Sequence, residues 1–336
     1  MLHTSNMVVP LLLAPMAELS HRPLRELIES FGSAADEYFT EMISAGTLVN
    51  KGPFEEWYID NGPCPEKLVY QLVCGDEQNL LKALVLLDRK ECLGIDINMG
   101  CSAPLIRRTG AGVSWMADID KAGSLIRRLR PHTCRRLSVK LRTGLNDDFE
   151  YLVKFCRRLE EEGVDFITLH PRTAREKFRR KARWDYVSAL KKELRVPLAG
   201  NGDIASSEEI ILRSGECDAV MIGRLAVRCP WVFAEVREDL TPRRKDAEEN
   251  RRISNNSAFS VSLRDDRYLL EETGLKFLEL LARYQPAEFH LSRARLFFSY
   301  FCDNLKWGNY LKNLLNRETS LGGIERVWIE VIKKCR

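Results

Sequence analysis

The feature that most constrains the fold is an alternation of short apolar segments with amphipathic segments, repeated eight times between residues 8 and 226. The apolar segments are nearly continuous in hydrophobicity, which is typical of parallel strands covered on both faces. Amphipathic segments such as residues 76–89 and 148–163 place apolar side chains three and four positions apart, which is typical of helices. The candidate strands are residues 8–16, 35–42, 67–75, 94–100, 136–144, 166–173, 196–204 and 219–226.

Parallel strands need crossover connections, and eight units of about thirty residues match a closed (β/α)8 barrel of about 250 residues. The competing architecture is an open doubly wound sheet, which usually carries a GxGxxG turn after its first strand. No such turn follows the first candidate strand. The sequence therefore predicts an α/β fold, a (β/α)8 TIM barrel with a C-terminal all-helical domain.

Composition changes after the last β/α unit and suggests the domain boundaries. Residues 241–262 are charged and polar, which predicts a linker or an exposed insertion. We therefore expect a barrel domain over residues 1–240 and a helical domain over residues 263–336. A chain of 336 residues, 45% of them hydrophobic, is long enough to bury one large core and a smaller appendage.

Cysteine usage and hydropathy indicate the compartment. The ten cysteines are scattered singly without CxxC or HxxxH spacing, so we expect neither a disulfide framework nor a metal site. No apolar run approaches the roughly eighteen residues of a membrane span, and the N-terminal residues lack a basic start and a cleavage site. These features predict a cytoplasmic protein, and we expect a monomer.

The basic excess lies in the C-terminal part of the chain. The net charge is +4, and residues 241–336 carry 18 Lys and Arg against 13 Asp and Glu, which leaves 34 against 35 for residues 1–240. This asymmetry favours an anionic partner for the helical domain, although a solvated surface gives the same pattern.

Polar residues gather where the candidate strands end, and in a barrel these ends form one face. Gly200, Gly202 and Gly223 let backbone N–H groups approach an anion, and Arg224 adds a positive charge. The loops after strands seven and eight commonly hold phosphate in such barrels. The sequence therefore predicts a phosphorylated cofactor here, although each stretch alone is also an ordinary glycine turn.

Three further side chains are candidates for chemistry. Lys140 interrupts an apolar strand, where it would either hold the negative charge of a reduced flavin or enolate-like oxygen, or face the surface. His170, beside Arg172 at a strand end, is either a site residue or a hydrogen-bonded core histidine. Cys101 follows a strand in a glycine-flanked loop, where a protonated thiol suits a proton donor; the alternative is an inert buried cysteine.

Together these motifs resemble the tRNA-dihydrouridine synthases, flavin enzymes that reduce the C5–C6 double bond of particular uridines in tRNA. The resemblance is strong over about residues 10–235 and weak in the helical tail. The motifs are APMA (14–17), INMGC (97–101), VKLRTG (139–144), HPRT (170–173), NGDI (201–204), MIGR (221–224) and PWVF (230–233). The resemblance implies FMN as the cofactor, NADPH as the reductant, and a tail that binds tRNA.

The resemblance also implies roles for individual residues. Hydride from FMN would reach C6 of the target uracil, Cys101 would protonate C5, and Asn98 and Arg172 would orient the ring. The implied cofactor contacts are Pro15, Met16 and Ala17 against the isoalloxazine, Gln71 at its pyrimidine edge, Lys140 and His170 at the ring system, and Asn201, Gly202, Asp203, Gly223 and Arg224 at the ribityl phosphate.

Two features bear on the substrate. Seven Arg and Lys within residues 172–183 leave a strand end at the expected catalytic face, where contacts with a tRNA backbone would be salt-sensitive. Ser102 stands where the family usually has proline. Two other functions therefore stay open: a flavin oxidoreductase acting on a free pyrimidine, which needs no basic tail, and a tRNA-binding homologue with impaired catalysis, which Ser102 motivates.

Overall fold

The structure, a computed structural model, describes residues 9–177, 179–239 and 266–334. Eight parallel strands close into a barrel in which β1 pairs with both β2 and β8. The strands are β1 Leu11–Leu13, β2 Glu37–Ser44, β3 Leu68–Val73, β4 Gly94–Met99, β5 Arg136–Gly144, β6 Phe166–Thr173, β7 Leu198–Asn201 and β8 Ala219–Ile222. Each lies within a predicted strand segment or extends it by two residues, and the predicted fold class is confirmed.

Helices surround the barrel and continue beyond it. Over the described residues they are α1 Arg22–Glu29, α2 Ala45–Val49, α3 Glu55–Tyr58, α4 Glu77–Asp88, α5 Pro104–Arg108, α6 Ile119–Leu129, α7 Phe149–Glu161, α8 Trp184–Lys191, α9 Ser207–Ser214, α10 Arg224–Arg228, α11 Val232–Asp239, α12 Asp266–Tyr284, α13 Ala287–Phe301, α14 Gly308–Leu315 and α15 Leu321–Lys334. The last four form the predicted helical region.

Local capping sets where several helices begin. Asp76, Asp118, Asp148 and Ser206 each accept a hydrogen bond from a backbone N–H three residues later, at the starts of α4, α6, α7 and α9. Such caps satisfy N–H groups that have no partner within the helix. Each loop at the carboxyl end of the preceding strand therefore ends at a defined residue.

The strands carry two cores because their side chains alternate between the barrel interior and the helix layer. The interior core consists of Leu12, Ala14, Phe39, Val69, Phe166, Ala199, Ala219 and Met221. Outward residues such as Leu11, Leu13 and Tyr70 pack with the helices in a separate, larger core. Strands covered on both faces explain the nearly continuous apolar runs in the sequence.

The helical region packs around an aromatic core and against the barrel. Phe277 of α12 stacks on Phe297 of α13 with ring centroids 3.7 Å apart, and Trp328 is fully buried. The ring centroid of Phe277 also lies 6.0 Å from that of His21, which precedes α1 of the barrel. The predicted boundaries at residues 240 and 262 fall outside the described residues, so that division of domains stays a prediction.

Three absences hold for the described ranges of the chain. No helix there is long and apolar enough to cross a lipid bilayer. No group of three or more His, Cys, Asp and Glu side chains there is arranged to hold a metal ion. The nine cysteines described are all unpaired.

Candidate active site

A cavity of about 630 Å³ lies at the carboxyl ends of the strands. Its volume is ordinary for a cofactor or small-molecule site, which usually measures about 300–1,000 Å³. Thirteen of the fourteen predicted site residues line it: Pro15, Met16, Ala17, Asn98, Cys101, Lys140, His170, Arg172, Asn201, Gly202, Asp203, Gly223 and Arg224. The fold therefore brings these distant segments into one site, and their individual roles stay predictions.

Strand register explains why these side chains meet. Asn98 of β4 pairs with Lys140 of β5, and Asp96 pairs with Ser138 two residues deeper along the same strands. Residues two apart on a strand share a face, so all four face the barrel interior. The ammonium of Lys140 donates a hydrogen bond to Oδ1 of Asn201 at 3.0 Å. The alternative of a surface-facing lysine is therefore wrong.

Cys101 lies on a tight loop held by Asn98. The side-chain oxygen of Asn98 accepts hydrogen bonds from the backbone N–H groups of Gly100 at 3.1 Å and Cys101 at 2.8 Å. The carbonyl of Cys101 accepts another from the N–H of Val113 at 3.0 Å. A Cβ at Gly112 would lie 2.4 Å from that carbonyl, so the approach requires glycine. These contacts fix a half-buried thiol at the cavity wall.

Gln71 is the predicted site residue that does not line the cavity. It is fully buried, its Nε2 donates to Asp96 at 2.8 Å, and its Oε1 accepts from Nδ2 of Asn98 at 2.8 Å. Both ends of the amide are therefore engaged with neighbouring side chains, and the predicted contact of Gln71 with a cofactor ring stays a prediction. The arrangement indicates that Gln71 supports Asn98 and, through it, the Cys101 loop.

Asp96 is a residue of this support that the sequence analysis missed. Its carboxylate accepts hydrogen bonds from Gln71 and, at 2.7 Å, from the hydroxyl of Ser138. Burial raises the pKa of Asp96 to about 6, although Ser138, Gln71 and Lys140 favour its charged form. A charged residue inside an apolar strand was the available signal, and the same signal had identified Lys140.

Replacing Asp96 with asparagine should stabilise the fold near neutral pH. Because the folded-state pKa of about 6 lies above the ordinary value, the stability contributed by this carboxyl is present below about pH 4 and is lost as pH rises through 6. Asparagine keeps an acceptor for Gln71 and carries no charge. Urea unfolding should show a gain of at most about 3 kcal/mol at pH 7 and little gain at pH 4. Equal gains in stability at pH 7 and pH 4 would contradict a raised pKa for Asp96.

The wall formed by β5 to β8 is basic. Burial and the neighbouring Arg142 lower the pKa of Lys140 to about 8. Among the described residues that line the cavity, five are cationic and one is a carboxylate: Lys140, Arg142, Arg172, Lys177 and Arg224, with Asp203. This charge balance favours an anionic ligand.

His170 is neutral in this setting. Its Nε2 lies 3.0 Å from Nη1 of Arg172, and because a guanidinium only donates, Nε2 is the acceptor. Burial, together with the positive charges of Lys140, Arg142, Arg172 and Arg224, holds the pKa of His170 well below its ordinary value. The imidazole therefore carries its proton on Nδ1 and acts as a hydrogen-bonding group without charge.

Asp203 connects the arginines at the ends of β6 and β8. Its carboxylate accepts hydrogen bonds from Arg172, from Arg224 at 3.5 Å, and from the N–H of Ala182 at 2.7 Å. The backbone has φ +53° at Asp203 and +125° at Gly202, where a Cβ would lie 2.9 Å from the ring of His170. Strained backbone of this kind is typical of ligand sites. Arg172, predicted to orient uracil, thus lies on the predicted phosphate side of the cavity.

Two cavity residues come from the helical region and were not predicted. Leu296 and Tyr300 of α13 line the cavity together with the strand-end residues. The sequence predicted a helix here, but an amphipathic pattern does not reveal which element the helix packs against. The site is therefore shared between the barrel and the helical region.

A family model and the sequence relatives identify one family. Residues 12–276 match the family model described as dihydrouridine synthase (Dus). A probable tRNA-dihydrouridine synthase of Aquifex aeolicus is 34% identical over 236 residues, which are 68% of this chain and 72% of that protein. One of Helicobacter pylori is 29% identical over 236 residues, 69% of this chain and 71% of that protein. A tRNA-dihydrouridine(47) synthase NAD(P)(+)-like protein of Rattus norvegicus is 30% identical over 295 residues, 82% of this chain and 44% of that protein.

Proposed function

Because the chain belongs to the dihydrouridine synthase family, we propose that it reduces the C5–C6 double bond of particular uridines in tRNA. The bacterial relatives are named as probable tRNA-dihydrouridine synthases and align with more than two thirds of this chain. The observation that carries the proposal is a single cavity in which the Cys101 thiol shares a lining with Lys140, His170 and Arg224.

We propose FMN as the cofactor and NADPH as its reductant. FMN requires an apolar surface for a flat ring and cationic groups for a phosphate, and the cavity offers Met16 and Met221 for the first and Arg224 for the second. Gly202 and Gly223 lack the side chains that would occupy the space beside His170 and Met16. The residues that would hold FMN are Pro15, Met16, Ala17, Gln71, Lys140, His170, Asn201, Gly202, Asp203, Gly223 and Arg224. When bound and reduced, FMN supplies a hydride for C6 of uracil.

The chain's own residues would complete the reduction. Addition of a hydride to C6 moves an electron pair to C5 and the adjacent carbonyl oxygen, and the Cys101 thiol transfers its proton to C5. The ammonium of Lys140 stabilises negative charge that develops in the cavity. Asn98 keeps the thiol in place because it holds two backbone N–H groups of the loop. Solvent then returns a proton to Cys101.

The tRNA would approach from the open side of the barrel mouth. After β6, Arg175, Lys177, Arg179, Arg180 and Lys181 are exposed, whereas Arg183 pairs with Asp147 and Glu176. Exposed cations of this kind bind a phosphate backbone with salt-dependent affinity and little sequence preference. A stacked uridine must leave its helix to reach the cavity, so these contacts position the RNA and the cavity selects the base.

Purification and RNA analysis test the proposal. We expect a yellow protein that releases FMN and that forms dihydrouridine in unmodified tRNA transcripts with NADPH, detected by mass spectrometry. Reduction of free uridine without reduction of tRNA would favour the free-pyrimidine oxidoreductase. A colourless protein that binds tRNA and takes up no FMN would favour the homologue with impaired catalysis. The cytoplasmic location and the monomeric state stay predictions, tested by cell fractionation and light scattering.

FMN binding should weaken as pH rises above 8. A bound anion stabilises the charged form of Lys140, whose pKa is about 8, so binding at higher pH requires uptake of a proton. The dissociation constant, measured by flavin fluorescence, should rise by up to about tenfold per pH unit between pH 8 and 10. The Lys140→Met variant should bind more weakly at pH 7 and lose this slope. A wild-type titration that is flat to pH 10 would exclude Lys140 from the cofactor site.

A further inference from the structure

Helix α13 presents one row of side chains to the barrel mouth. Arg293, Leu296 and Tyr300 lie three and four positions apart and therefore share a helix face. Arg293 pairs with Glu41 of β2 at 3.1 Å, and Leu296 and Tyr300 line the cavity. We propose that Leu296 and Tyr300 form the wall against which the target uracil lies, with Tyr300 as its stacking surface. This inference rests on the proposed function.

Two anchors define the path of α13. In the middle of the helix, Arg293 reaches Glu41 within β2. Just beyond the end of the helix, Asn304 donates a hydrogen bond at 2.6 Å to the carbonyl of Arg228 in α10, which follows β8. Because β1 lies between β2 and β8 in the barrel, α13 passes over the segment that follows β1. Leu296 and Tyr300 lie between the anchors, above the segment that contains residues 15–17.

Tyr300 supplies a surface that the strand ends do not. Among the described residues that line the cavity, it alone has a carbocyclic aromatic ring. The buried phenylalanines of α13, such as Phe297 and Phe301, pack in the core of the helical region, whereas Tyr300 is partly exposed. All proposed cofactor contacts come from the strands of the barrel and the loops that follow them. An isoalloxazine ring that rests on these residues leaves the face of α13 for the uracil ring. Aromatic side chains stack on any nucleobase.

The buried carboxylate of Glu41 connects the α13 side of the cavity to the segment that contains residues 15–17. Glu41 pairs with Arg293 through one oxygen and accepts the backbone N–H of Glu18 through the other. Glu18 directly follows Ala17 of the cavity floor and has a left-handed φ of +61°. Arg293 is therefore a positioning residue, because it acts on the cavity through Glu41 and through the placement of Leu296 and Tyr300.

Alanine and phenylalanine at position 300 test the inference. Stacking on one base corresponds to about a 5- to 150-fold change in affinity. Tyr300→Ala should lower kcat/KM for a tRNA transcript by about this factor while the dissociation constant for FMN, measured by fluorescence, stays within about twofold of wild type. Tyr300→Phe should restore most of the loss. Tyr310→Ala is the matched control, because this tyrosine of α14 is 62% exposed and lies outside the cavity lining.

The outcomes separate this inference from the function on which it rests. An active wild-type enzyme with an unchanged kcat/KM in Tyr300→Ala would overturn the inference alone. A loss of FMN affinity as large as the loss of kcat/KM would also overturn it, since Tyr300 would then contact the cofactor. A wild-type protein that binds FMN but forms no dihydrouridine in any tRNA would overturn the proposed function and, with it, the inference.

Discussion

Alanine in place of Cys101 is expected to lower dihydrouridine formation by about 10²- to 10⁴-fold, the range typical for removal of a positioned general acid. FMN and tRNA binding should persist, because the backbone of the loop is held by Asn98 and Val113 and not by the thiol. The measurement is single-turnover product formation from pre-reduced enzyme and a tRNA transcript, with FMN and tRNA affinities determined in parallel.

A second cysteine provides the control for this prediction. Cys74 lies at the end of the neighbouring strand β3, is half-buried, and does not line the cavity. Cys74→Ala should therefore retain wild-type rates. Cys101→Ser should fall between wild type and Cys101→Ala, since a hydroxyl in the same position is a weaker acid than a thiol. Wild-type product yields from Cys101→Ala in a single turnover would place the proton donor elsewhere.

The barrel was predictable from the sequence because the alternation of apolar strand segments and amphipathic helix segments is a local pattern that repeats eight times. Each strand had to be apolar on both faces, and each helix had to follow with a spacing of three and four residues. Closure of the sheet into a barrel followed from the number of β/α units and from the right-handed crossover connections between parallel strands. Strand lengths were less predictable: the first segment, residues 8–16, contains a strand of only three residues, Leu11–Leu13, which are the residues in register with β8.

The site was predictable to the extent that it lies at strand ends. Polar residues there were grouped correctly because parallel strands end on one face, and family motifs gave Asn98 and Cys101 their expected roles. Sequence does not reveal how deep a residue sits in the interior: register puts Gln71 beside Asp96, below Asn98, and its contact with the cofactor stays a prediction. Tyr300 was missed because its place depends on how α13 docks, which tertiary contacts at Glu41 decide.

Removal of Arg293 is expected to cause the largest loss of stability among the variants considered. Its side chain is 2% exposed and that of its partner Glu41 is 4% exposed, so Arg293→Met leaves a buried carboxylate without its main counter-charge. Loss of one partner of a buried ion pair typically costs about 3–5 kcal/mol. Arg295→Met, two residues further along α13, should cost far less because this side chain is half-buried and donates to one carbonyl, that of Glu318. Urea unfolding of the three proteins measures the difference.

The double variant Glu41→Gln with Arg293→Met identifies the cause of that loss. Glutamine still accepts the N–H of Glu18 and carries no charge, so the double variant should recover most of the stability that Arg293→Met loses.

Burial already raises the pKa of Glu41 against the attraction of Arg293 and Arg25, and removal of Arg293 should raise it further. A carboxyl with a raised pKa loses stability as pH rises, so the deficit of Arg293→Met should be larger at pH 8 than at pH 5. A deficit that is independent of pH and persists in the double variant would instead indicate lost packing of the Arg293 side chain against Phe289, whose ring centroid lies 4.5 Å from the guanidinium.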